Sequence, residues 1–107
     1  MTEVLAVLCT CPDSETARRL ASGLVEQRLA ACVNILPQIR SIYRWGDELH
    51  DDQEVLMLVK TTPLAYLELE SWLLEHHPYE VPEVLALPVQ AGSRDYLDWV
   101  LNGVEVR

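Results

Sequence analysis

Apolar residues fall into two kinds of pattern along this chain. Val4-Leu5-Ala6-Val7-Leu8-Cys9 is apolar at every position and of strand length, as in a strand covered on both faces. Pro12-Asp13 closes that run and supplies an N-cap. The spacing then becomes helical. Ala17, Leu20, Ala21, Leu24 and Val25 recur on one side while Arg18, Arg19, Glu26 and Gln27 take the other, which predicts a helix over roughly 14–29. Ala31–Leu36 and Ile39–Trp45 are rich in β-branched and aromatic residues, and predict either two strands or one bent strand broken at Pro37. The polar stretch 46–53 reads as a hairpin connection into the apolar strand Val55–Val59. Thr62 and Pro63 supply the N-cap and first position of a second helix, whose buried face is marked by Ala65, Leu69, Trp72 and Leu73. Val84–Val89 reads as a last strand, and Gly92-Ser93 opens a short final helix carrying Leu97, Val100 and Leu101.

The order is therefore strand, helix, strand, strand, helix, strand, short helix. Its two halves echo each other, since Cys9-Thr10-Cys11-Pro12 and Lys60-Thr61-Thr62-Pro63 each end a strand and open a helix. This split βαβ pattern predicts an α+β fold, a ferredoxin-like sandwich formed by residues 1–107 as a single domain. Such a sheet carries helices on one face, yet three of its strands are apolar throughout, so the second face needs a cover. The chain has no helix to spare beyond the short last one, and other copies of the chain are the economical cover. The alternative is a monomer whose final helix folds across the sheet.

Composition narrows the partners. The 107 residues contain 8 Lys plus Arg against 17 Asp plus Glu, a net charge of −9. Such a charge disfavours a phosphate backbone, so nucleic acid is not expected as a partner. No apolar run approaches the roughly 18 residues a bilayer span requires, and the start lacks a basic region of a secretory signal. A cytoplasmic protein with its three cysteines reduced is expected, with no membrane partner.

Four stretches carry a more specific signal. Ala31-Cys32-Val33-Asn34-Ile35, Ser41-Ile42-Tyr43-Arg44-Trp45, Leu56-Met57-Leu58-Val59-Lys60-Thr61 and His77-Pro78-Tyr79-Glu80-Val81-Pro82-Glu83 stand in the order and spacing of the CutA divalent-cation tolerance proteins, and Tyr96-Leu97-Asp98-Trp99 resembles that family's closing segment. The resemblance covers nearly the whole chain. It implies a ferredoxin-like protomer, a homotrimer that buries the sheets, a cytoplasmic location, and a part in tolerance to copper and other heavy-metal cations. It also implies a likeness of shape to the trimeric PII signalling proteins, which sense small ligands.

Several groups of residues could carry the chemistry. Cys9 and Cys11 are two apart, so on a strand both sulfurs project to one face and could reach one soft ion such as copper(I). Core packing is the simpler reading for Cys11, which Pro12 could already bend out of line, and for Cys32. In Leu74-Glu75-His76-His77-Pro78 the residue before proline is driven out of the helical region, so the helix should end near His76 with His77 already extended. A helix C-terminus favours a cation, and Pro78 and Pro82 stiffen this corner. The bland alternative has His76 capping the helix in solvent and His77 packed on Tyr79. The resemblance assigns Cys9, His76 and His77 as metal ligands, one thiolate and two imidazoles suited to copper or zinc. Whether these meet within one chain or between subunits stays open. Tyr43, Trp45, Lys60, Tyr79 and Glu83 form a second group, lining either a small-ligand pocket or a subunit interface. The acidic stretch Asp47, Glu48, Asp51, Asp52 and Glu54 reads as a solvated hairpin. No nucleophile elbow, phosphate loop or zinc-protease motif is present, so the chain is not read as an enzyme. The leading reading is a trimer that binds copper or other divalent cations; the alternatives are a PII-like small-ligand or protein-binding signalling trimer in which metal is incidental, and a scaffold whose trimer anchors another domain.

Overall fold

A computed structural model describes residues 2–105. Its elements in chain order are β1 (Leu5–Cys11), α1 (Ser14–Glu26), β2 (Cys32–Trp45), β3 (Glu48–Thr61), α2 (Pro63–His76), β4 (Leu85–Pro88) and α3 (Arg94–Gly103). The strands form one antiparallel sheet in the order β2-β3-β1-β4, the ferredoxin-like arrangement with a C-terminal helix added. Each half starts its helix the same way. Asp13 and Thr62 are extended, and their side chains accept the N–H of Thr16 and Ala65, with Pro63 filling the first position of α2.

The sheet differs from the pattern-based expectation at its long hairpin. Residues 48–53 are not a loop: β3 runs unbroken from Glu48, and Trp45 is joined to Glu48 through Gly46-Asp47 alone. Gly46 has φ +64, which a residue with a Cβ adopts only with strain. Charged side chains hid this strand because both faces of the hairpin tip meet solvent, where alternation carries no hydrophobic signal. Pro37 does not divide β2. A register shift between Leu36 and Ile39, with Gln38 at φ 60, absorbs it as a bulge. α1 stops three residues earlier than expected because Arg28 turns left-handed at φ 58. β1 instead runs on to Cys11, so Pro12 bends the chain only after both cysteines.

One face of the sheet packs on α1 and α2. Val7, Cys9, Cys11, Val55, Met57 and Val59 point into that layer and meet Leu20, Leu24, Leu69 and Leu73. α1 and α2 approach closely where Gly23 meets the ring of Trp72; a Cβ there would overlap the ring. The opposite face is largely bare. Leu36, Leu85 and Leu87 are 41%, 55% and 49% exposed, and Leu8, Leu56 and Leu58 between them are only partly covered. α3 reaches only one end of this face, where the Tyr96 hydroxyl lies 3.3 Å from Lys60 Nζ.

Candidate metal centre

Cys9 and Cys11 lie on β1 with one residue between them, so both sulfurs enter the helix-facing layer, where both are fully buried. The other side of that layer is set by the end of α2. Pro78 excludes His77 from the helix; His77 is extended (φ −77, ψ 139), and its N–H still closes the last turn on the Leu73 carbonyl at 2.8 Å. This one residue of backbone change sends the two imidazoles to opposite environments. His76 stays on the exposed last turn, its ring stacked on Trp72 at 4.0 Å and its Nδ1 donating to the Trp72 carbonyl at 2.8 Å. His77 turns inward and is 8% exposed.

The partners of His77 fix its tautomer. A carbonyl only accepts, so Nε2 carries the proton that it donates to Thr10 O at 2.8 Å, while Nδ1 accepts the Tyr79 N–H at 3.0 Å. The ring thus ties the end of α2 to the β1 residue lying between the two cysteines, and it also rests on Tyr79 with centroids 4.8 Å apart. Donor atoms of Cys9, Cys11 and His77 all lie within 4.8 Å of one another. The structure therefore brings Cys9 and His77 together, adds Cys11, and leaves His76 outside the group. Within the sulfur pair, a hydrogen bond to Cys11 and then burial hold the Cys9 thiol far above its usual range, and the same bond draws the Cys11 thiol below it. In the geometry, the Cys9 thiol donates to the carbonyl of Thr10 at 3.9 Å.

The second predicted group divides. Tyr43, Trp45, Tyr79 and Glu83 line a cavity of about 710 Å³ between the β2-β3 hairpin and the segment 78–83, joined by His50 and Glu54. Lys60 is elsewhere: its Nζ donates to Asn34 Oδ1 at 2.5 Å, faces the Cys32 sulfur at 3.5 Å and lies 5.8 Å from the Tyr96 ring centroid. Glu54, expected in a solvated hairpin, is 8% exposed and accepts from the Tyr79 hydroxyl at 2.5 Å. Its burial follows from its place directly before the apolar run of β3. Burial, with that hydrogen bond second, raises the Tyr79 phenol well above its usual value.

The profile of the CutA1 divalent ion tolerance protein family matches residues 5–103. The chain belongs to that family. It is 55% identical over 94 residues to the divalent-cation tolerance protein CutA of Thermus thermophilus, covering 88% of this chain and 91% of that one. A solved structure of the Cut A1 protein from Thermus thermophilus superposes with a TM-score of 0.92 at 51% identity, over 95% of this chain and 99% of the other. Human protein CutA is 48% identical over 102 residues, and the match spans 95% of this chain but 57% of the human protein. A structure named the periplasmic divalent cation tolerance protein CutA from Archaeoglobus fulgidus gives a TM-score of 0.92 at 35% identity, over 95% and 99% of the two chains. Among the described residues of this family member, no helix is long and apolar enough to cross a membrane.

Proposed function

We propose that the chain binds copper(I), with zinc or another divalent cation as the competing guest, through Cys9, Cys11 and His77, and that this binding serves tolerance to heavy-metal cations. One observation carries the reading: two thiol sulfurs and an imidazole nitrogen within 4.8 Å, all three residues buried. Thiolate and imidazole donors suit copper and zinc, and burial withdraws the ion from competing water. The donors fit with two adjustments. The thiol protons of Cys9 and Cys11 must leave, and His77 must exchange one of its two hydrogen bonds for the ion. Release of the thiol protons makes binding tighter as pH rises, and the exchanged hydrogen bond makes it weaker than at a fully vacant donor set. Bound copper would supply no bond-making chemistry in this reading; the residues hold and shield an ion, and the role is binding, not catalysis.

The bare sheet face supports assembly. Leu36, Leu85 and Leu87 would be covered by further copies of the chain, and a homotrimer in the cytoplasm is the arrangement proposed. A second function, a PII-like small-ligand trimer, is favoured by one observation, the cavity beneath the hairpin.

Titration of copper(I) against a competing chelator separates the donor sets. Cys11→Ser and His77→Asn should each lower copper affinity at least about tenfold, as loss of a ligand does, while His76→Ala should leave it within about twofold. Loss of binding in His76→Ala with Cys11→Ser unaffected would move the ion away from this centre.

A further inference from the structure

The cavity beside the hairpin has walls that select by charge. Three aromatic side chains, Tyr43, Trp45 and Tyr79, and three carboxylates, Glu54, Glu80 and Glu83, line it, and among the described residues no lysine or arginine does. The phenols are held in place. The Tyr43 hydroxyl donates to Asp52 at 2.6 Å and its ring stacks on His50 with centroids 5.1 Å apart, while the Tyr79 hydroxyl donates to the buried Glu54. Trp45 at the mouth is 59% exposed and leaves its indole face open.

We infer that this cavity binds a small organic cation, a quaternary or alkylated ammonium group or a guanidinium, between the Tyr43, Trp45 and Tyr79 rings and the Glu54 carboxylate. Ring faces carry negative potential and attract a diffuse, weakly hydrated cation, and a carboxylate at the floor adds a directed charge. An anion meets three carboxylates with only the His50 imidazole, stacked on Tyr43, to oppose them. A compact metal ion is a poorer fit, because among the described residues the converging metal-binding group is Cys9, Cys11 and His77, not the cavity carboxylates. A volume of about 710 Å³ is that of a small-molecule site. The inference rests on the small-ligand reading and is independent of the copper reading.

Calorimetric titration of the full-length protein with choline chloride, in metal-free buffer at fixed ionic strength, tests it. Saturable binding is expected, weakened at least about fivefold by Glu54→Gln, which keeps the Tyr79 contact but removes the charge, and by Trp45→Ala at the exposed rim. The uncharged 3,3-dimethylbutan-1-ol, similar in shape, should bind at least about tenfold more weakly. Equal binding of the alcohol would overturn the cationic ligand and keep the small-ligand reading. Absence of saturable heat from either probe, as when another copy fills the cavity, would overturn both. Choline binding unchanged in both variants would overturn the placement.

Discussion

At the residue scale, the double histidine shows how one proline decides chemistry. His76 and His77 are adjacent in sequence, but Pro78 makes the second leave the helix, and only that one reaches the sulfurs. Sequence could read the break, because the restriction before proline is local. It could not read the rotational phase at which α2 meets β1, which decides which ring faces inward. Cys11 was obscured for a related reason: a proline at the next position suggests a bend, yet β1 pairs with β3 as far as Cys11 opposite Val55. Tyr66 offers a test of side-chain placement at the same scale. Burial, and then its hydrogen bond to Glu70 at 2.8 Å, push its phenol up from the ordinary 10.0 to about 12. The folded state therefore holds a proton that the unfolded state has lost. Its contribution to stability is intact below about pH 10 and is lost as pH rises through about 12. Phenolate absorbance should show a tyrosine titrating near 12 that is missing in Tyr66→Phe. Loss of amplitude near 10 in that variant, in place of loss near 12, would put the group in ordinary solvent.

At the scale of elements, local chemistry made most of the fold readable. Asp13, Thr62 and Pro63 announce their helices through orphan backbone N–H groups that need partners, and that requirement does not depend on tertiary context. The hairpin was the exception, since Glu48, Asp51 and Asp52 lie in a strand held by cross-strand pairing with β2, a non-local cause. The Arg40–Asp51 pair at 2.8 Å and the Tyr43–Asp52 bond are its visible products. The contact of α1 with α2 was equally hidden, because Gly23 reads as a mild helix weakness until Trp72 is seen against it. Gly23→Ala gains about 1 kcal/mol of helix propensity but overpacks at a cost of about 1–3 kcal/mol. A net loss of up to about 2 kcal/mol is expected from denaturant unfolding, with copper binding retained. A variant more stable than the parent would mean that the Trp72 ring yields freely and does not set the helix spacing.

At the scale of the whole molecule, the two faces of one sheet have separate tasks. The helix-covered face encloses Cys9, Cys11 and His77 within a single chain, while the other exposes leucines that the proposed assembly would cover. The runs of β1 and β4 showed from sequence that a cover was needed, because an apolar strand demands burial on both sides. They did not bring Cys9, Cys11 and His77 together within one protomer, since that depends on how α2 closes over β1. The two readings meet in a single countable quantity, the number of copper ions per chain in the assembled particle. Native mass spectrometry of the copper(I)-loaded protein measures it. A particle of three chains carrying three copper ions is expected; one ion per trimer would put the site between subunits, and a stable single chain would contradict the assembly.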